Sequence, residues 1–357
     1  MESVDVFELL TRPEWFLYSV DPQTATGVLC PRVVAEGEEQ AYYQVPLQPL
    51  ISYLDSAPEL LRRPLLHIFM SDFCGSTLLA QALDCLPSYT VHNEPLAFPD
   101  IARARLAQDH EGVSLMVDWR VCLQLARVKF AHSASSGVVV EKTWPDATGI
   151  MSAMIESSPA SFFLFGPLEE YLLAVFRQPW RRAFTRRRMQ TVLIEARPLA
   201  RLAGGDFDDL PDASVAAIHW LYQQYNYLAL CGRFGRDRLR CGSSRDWYAE
   251  PAGFIGELCD FFGWAADPDQ IDQAVTRVLA RHSKEPDRAF SASLRRAVQA
   301  ETKARHAEEL QQGLQTAADI MRQRPLPATL PGQICRGDER CPGPSVHAES
   351  MRTESVP

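Results

Sequence analysis

The sequence predicts an α/β, three-layer fold with a central, mostly parallel sheet and a helical C-terminal extension. Three observations carry that expectation. From Pro64 short apolar strands alternate with helical stretches: LLHIFM then a helix over 76–86, YTVHN then helices through 133, GVVVEK then 146–157, SFFLF then 168–177. Strands that are short and apolar throughout, spaced by helices, belong to a parallel sheet covered on both faces. Beyond Phe176 the pattern turns helical, at 180–196, 213–234, 252–263 and 268–322, with one strand candidate at 238–242. Finally, 46% hydrophobic and 23% charged residues make a globular composition, able to fill a large core over 357 residues.

The flanks differ from this middle. Residues 1–60 mix aromatics with turn residues (WFLYSVDP, GVLCPRVV, AYYQVPL) and predict a small β-rich lead-in packed on the main domain, which spans 61–322. After Pro325 the chain is rich in Pro, Gly, Ser and charge without an apolar period, so 325–357 is expected to be a disordered tail.

A net charge of −9 gives no support to a nucleic-acid partner. Nine cysteines, at 30, 74, 85, 122, 231, 241, 259, 335 and 341, form neither a C-x-x-C pair nor a Cys/His zinc pattern, and fit buried thiols of a reducing compartment. The acidic start MESVDVFELL is unlike a signal peptide, and SFFLFGPLEEYLLAVF is broken by Gly166, Pro167, Glu169 and Glu170 before it reaches membrane-spanning length. A cytoplasmic protein with no membrane partner is expected.

The first strand runs into Phe73-Cys74-Gly75-Ser76-Thr77 and then an amphipathic helix. Glycine lets the backbone approach an anion, the hydroxyls can bond it, and free N–H groups at a helix start point at it. An ordinary strand-to-helix turn uses the same residue types. No Lys lies between Leu61 and Lys129, so a Walker A loop, whose lysine reaches the β/γ-phosphates, is absent.

The next two strand ends also carry polar groups. Carboxyl ends of strands in an open α/β sheet face the ligand crevice. Glu94 could there remove a proton from an acceptor hydroxyl, or be a solvated residue at a loop start. His92, by strand alternation, shares its side and is either a second participant or a structural histidine. Lys142 could neutralise charge on a transferring group or be a snorkelling surface lysine. An anion loop, a carboxylate and an ammonium on three strand ends together suggest group transfer.

At these residues the chain resembles the sulfotransferase superfamily. FCGSTLLAQAL resembles its phosphate loop, which is P-loop-like without the Walker lysine and takes 3′-phosphoadenosine 5′-phosphosulfate as donor. VHNEPLAF and VVVEKTW are similar to its Lys-Glu-Pro and Glu-Lys-Ser/Thr segments. RLRCGSSRDWYAEPAGFIGELCDFFGW and the stretch 281–288 resemble its later elements, so the likeness covers about residues 64–300.

By that resemblance Glu94 is the base, Lys142 assists the sulfuryl group, and Gly75, Ser76 and Thr77, with Phe73 and Cys74, hold the 5′-phosphate. Lys284 and Arg288 then lie in the basic segment closing on the nucleotide. No metal is required, and the acceptor is a small molecule or a carbohydrate. Two positions depart from the family pattern: Phe73 stands where the loop has Lys, and Phe165 and Leu173 fall at the Arg and Ser that bind the 3′-phosphate. Replacements could come from the basic segment 177–188. Trp119, Trp144, Trp180 and Trp247 could stack on adenine, wall the acceptor or fill core. Two other functions fit the residues: a phosphotransferase using ATP or GTP, with Asp72 or Asp146 holding Mg²⁺, and a degenerate binder without turnover.

Overall fold

The computed structural model describes residues 10–31, 42–134, 137–280 and 292–334. At the N-terminus β1 (Trp15–Asp21), β2 (Thr26–Pro31) and β3 (Tyr43–Pro46) form an antiparallel sheet in that order, followed by α1 (Leu47–Ser56). Asp21 closes the first hairpin by accepting from the Gln23 N–H at 2.9 Å and the Thr24 hydroxyl at 2.7 Å. Leu17, Val20, Leu29, Leu50 and Leu54 share one buried cluster with Phe98 and Phe130 of the main domain. The β-rich segment is thus part of the main core.

The α/β unit runs β4 (Leu65–Met70), α2 (Ser76–Asp84), β5 (Tyr89–Asn93), α3 (Ala97–Glu111), α4 (Trp119–Ala131), β6 (Val138–Lys142), α5 (Met151–Ser157) and β7 (Ser161–Phe165). It continues through α6 (Leu168–Phe176), α7 (Pro179–Thr191), α8 (Leu193–Leu202), α9 (Asp212–Phe234) and β8 (Leu239–Ser243). After these come α10 (Ser244–Ala249), α11 (Pro251–Phe262), α12 (Pro268–Leu279), α13 (Ala292–Arg305) and α14 (Ala307–Gln323).

Five parallel strands pair in the order β5-β6-β4-β7-β8. Alternation divides their side chains between two layers. Leu66, Ile68, Val140, Phe162 and Leu164 pack with α2, α11 and α12, whereas Leu65, Phe69, Val139 and Phe163 pack with α3, α4 and α5. Buried at all six positions, β4 is the central strand, and the loop leaving it opens between two neighbours. Helices α7, α8, α9 and α14 build a further core around Leu199, Ile218, Leu221 and Ile320.

Three boundaries differ from expectation. The stretch 146–157 begins as a 3-10 segment, Pro145–Ile150, before α5. The helix expected over 180–196 is two, broken at Val192 (φ −119°, ψ 15°). The polar stretch after Pro325 stays packed as far as Ile334, which is buried and donates its N–H to the Cys241 carbonyl at 2.8 Å on the β8 edge. Residues 335–357 lie outside the described residues. Among the described residues no helix is long and apolar enough to cross a membrane.

Lys129 of α4 is buried, donates to the Arg12 carbonyl at 2.7 Å, and has its ammonium pushed down to about 7 by burial. Its unfolded value is near 10.5, so between those pH values the unfolded chain binds more protons and stability rises with pH. Relative to Lys129→Met, the parent protein should gain on the order of 2–4 kcal/mol between pH 7 and pH 10. Urea denaturation of both at several pH values measures this; parallel stability curves contradict it.

Candidate functional site

The loop from β4 to α2 is shaped by its backbone. Ser71 ties it to β7, its N–H donating to the Leu164 carbonyl at 2.8 Å and its hydroxyl accepting from the Gly166 N–H at 3.0 Å. Phe73 (φ 61°) and Gly75 (φ 85°) both adopt the left-handed region. Helix α2 starts with no side-chain cap; the Leu78 and Leu79 N–H groups donate to the Gly75 carbonyl, which leaves the N–H groups of the first two positions, Ser76 and Thr77, as those that could meet an anion.

Lys142 is 0% exposed, and its ammonium donates to Asn93 Oδ1 at 3.0 Å, to Thr77 Oγ1 at 3.3 Å and to the Glu94 carboxylate. Sheet register makes this possible: Lys142 pairs with Asn93 on one side and Ile68 on the other. Glu94, at φ 59°, leaves the strand in a left-handed turn, its N–H donating to the Lys142 carbonyl at 2.8 Å while its own carbonyl accepts from Trp144 Nε1 at 2.5 Å. The anion loop, the carboxylate and the ammonium are therefore brought into one cluster.

The other expected residues fall differently. His92 is buried, bonds to the Ser133 hydroxyl and stacks edge-on against Phe130 at 4.9 Å, away from this cluster. The left-handed turn at Glu94 breaks the alternation that would have put both side chains on one side. Cys74 turns inward, its thiol near the Leu164 carbonyl at 3.5 Å and pushed up to about 12 by burial, so it offers no thiolate. Ser76 is buried and its hydroxyl donates to the Met70 sulfur at 2.5 Å. Lys284 and Arg288 lie outside the described residues.

Over the loop opens a cavity of ≈ 360 Å³. Its floor is Phe73, Gly75, Ser76 and Thr77; Glu94 and Trp144 stand at the back, and Arg177, Trp180 and Arg181 line the helical wall. Arg181 lies 4.8 Å over the Phe73 ring, its value lowered to about 10 first by burial and then by Arg177. Trp180 is 51% exposed at the rim, whereas Trp119 and Trp247 are core. Leu173 and Gly166, at the β7 end, line the cavity without offering a charge.

In the sequence Arg188, Asp72 and Asp146 are candidates for other roles, and His219, Tyr248 and Arg295 carry no local signal. Arg188 is buried, with Nη1 3.1 Å from Asp72 Oδ1 and Nε 3.5 Å from Asp146 Oδ1, between the rings of Phe184 (4.2 Å) and Trp144 (5.1 Å). Beside it His219, 2.9 Å from the Tyr171 hydroxyl, is held neutral, pushed down to about 3 by burial. Tyr248 of α10 and Arg295 of α13 line the cavity from the β8 side. All lie far apart in sequence, and only pairing charges along the chain with the finished topology finds them.

No family model and no curated protein matches the chain. Among solved structures it is similar to the sulfotransferase domain from the curacin biosynthetic pathway, at 14% identity over 59% of this chain and 77% of that one, TM-score 0.37. A sulfotransferase from Alicyclobacillus acidocaldarius is similar at 11% identity over 73% and 95%, TM-score 0.36. One from Mycobacterium avium is similar at 11% over 71% and 80%, TM-score 0.38. Overlap at this level leaves the activity open, and the α/β architecture stands on the chain's own strand order.

Removing one partner of a buried ion pair strands the other's charge. Arg188→Met should therefore destabilise by about 3 kcal/mol at pH 7. The deficit should narrow as pH falls, because burial already raises the Asp146 carboxyl above the ordinary carboxylate range and loss of the guanidinium lets it protonate in the variant. Guanidinium melts at pH 7 and at acid pH decide it, and a neutral substitution would show that the pair carries no such cost.

Proposed function

We propose that this chain is a sulfotransferase, moving a sulfuryl group from 3′-phosphoadenosine 5′-phosphosulfate to a hydroxyl or amine acceptor. The observation that carries this is the contact of Lys142 with both Thr77 of the anion loop and the Glu94 carboxylate. A transferring group held at the loop would lie beside an ammonium and a candidate base at once.

In this scheme the backbone N–H groups of Ser76 and Thr77 and the Thr77 hydroxyl hold the 5′-phosphate. The acceptor oxygen or nitrogen attacks sulfur in line, its proton passes to Glu94, and the bond from sulfur to the phosphate oxygen breaks. Lys142 stabilises the charge that develops on that departing oxygen, in a setting where burial makes the interaction strong. Adenosine 3′,5′-bisphosphate leaves. Arg177 and Arg181, which line the cavity, supply the charge that the β7 end lacks for the 3′-phosphate, and exposed Trp180 offers a face for adenine. The acceptor is a small molecule or a carbohydrate.

Phosphotransfer from ATP is less well supported. Magnesium would need Asp72 or Asp146, and Arg188 already engages both.

Adenosine 3′,5′-bisphosphate should raise the melting temperature, since a ligand at 100 times its Kd adds about 2.7 kcal/mol to the native state. ATP with Mg²⁺ should do so less, and no shift at millimolar bisphosphate contradicts the proposal. Glu94→Gln should lower turnover by at least roughly 100-fold while nucleotide affinity holds. Retained turnover in that variant would remove Glu94 from the role of base.

A further inference from the structure

Loop 71–77 offers an anion backbone N–H groups and hydroxyls but no cationic side chain of its own. Lys142 approaches it from the β6 side of β4. From the other side, beyond β7 and β8, comes Tyr248 on α10. A methyl group added at Gly75 would stand 2.2 Å from the Tyr248 hydroxyl oxygen and 2.8 Å from the ring carbon that bears it. The phenol therefore lies directly on the loop glycine, at the lip of the same cavity that Gly75, Ser76 and Thr77 floor.

The ring is fixed from its far side. The Arg295 guanidinium stacks on it at 3.9 Å and is itself held by Glu170 at 2.7 Å. A cation on the ring face draws electron density from the phenol and strengthens its O–H as a donor. Burial pushes the hydroxyl up to about 12, so the proton remains in place to be donated at neutral pH. A tyrosine on a pinned ring loses little freedom when it bonds a ligand, and a hydroxyl beside the loop glycine is within reach of an anion bound at Gly75–Thr77.

We infer that Tyr248 is an anion-contacting residue of this site, donating its phenolic hydrogen to the phosphate group bound at Gly75–Thr77, with Arg295 as the residue that positions it. The inference rests on the loop holding the donor's 5′-phosphate. Lys142 and Tyr248 then grip the bound group from opposite sides of the central strand, one as a charge and one as a neutral donor. The close contact also accounts for glycine at position 75 beyond its left-handed φ: any side chain there would displace the phenol.

Tyr248→Phe keeps the ring and its stacking on Arg295 while removing the hydroxyl. Calorimetric titration with adenosine 3′,5′-bisphosphate should show a Kd raised roughly tenfold, the scale of one hydrogen bond to a charged group. The melting temperature without ligand should stay within a degree or two of the parent, about what an unchanged fold gives. Adenosine 3′-phosphate, which carries nothing at the loop, should bind both proteins alike. An unchanged Kd for the bisphosphate, or an equal loss for both nucleotides, overturns the role of Tyr248. Failure of the parent protein to bind the bisphosphate at all would instead defeat the donor assignment on which the inference stands.

Discussion

An ammonium group taken out of water costs several kcal/mol unless it is met by hydrogen bonds and opposite charge. Lys142 sits at the end of a strand buried at all five positions, so its head group cannot reach solvent. It is satisfied by drawing in Asn93 and Glu94 from the end of β5 and Thr77 from the start of α2. That one requirement ties together three chain segments, and the turn at Glu94 is held besides by its N–H on the Lys142 carbonyl and by Trp144 Nε1 on its own carbonyl. The polar end of an otherwise apolar sheet is therefore organised around a single buried charge.

The helical half is held to this centre by a second buried charge. Arg188 on α7 reaches Asp72 in the loop and Asp146 after β6, and so ties the wall carrying Arg177, Trp180 and Arg181 to the floor of the cavity. Such a pair contributes little net stability over apolar packing, because its desolvation offsets its attraction. Its effect is on placement: a helix docked by apolar contacts alone can slide, whereas one docked by a buried guanidinium between two carboxylates has one register. The cavity's basic rim is held at a defined height above the loop 71–77.

Much of the scaffold was legible in the sequence, since buried parallel strands leave short apolar runs. The three inner strands β4, β6 and β7 fall on runs of that kind, whereas the edge strands β5 (YTVHN) and β8 (LRCGS) carry polar residues and are placed by their spacing from the helices. Helix breaks were less visible: the helix ends at Thr191-Val192 without a lapse in the apolar periodicity, whereas Pro198 stands inside α8 without ending it. Gly75, Ser76, Thr77, Glu94 and Lys142 could be read because each stands at a strand end, a position that the order of elements alone identifies. His92 was misplaced for a physical reason: alternation holds only while the strand does, and the left-handed residue at Glu94 ends it. Tyr248, Arg295 and the partners of Arg188 depend on contacts between residues 42 to 173 positions apart, which no local pattern encodes.

Backbone strain marks the same place independently. Among the described residues three that are not glycine adopt positive φ: Ala25, Phe73 and Glu94. Ala25 lies in the hairpin turn between β1 and β2, where such a conformation is ordinary. Phe73 and Glu94 are bulky or charged, each conformation costs on the order of 1 kcal/mol or more, and both line the one cavity. Strain of that kind persists only where surrounding contacts over-determine it, and here they can be named: the Phe73 ring is held among Tyr171, Trp180 and Phe184, and Glu94 between Lys142 and Trp144. Relaxing either residue would swing a loop amide or the carboxylate out of the cluster. The chain thus spends conformational energy on the two backbone positions that aim its anion loop and its candidate base at one point.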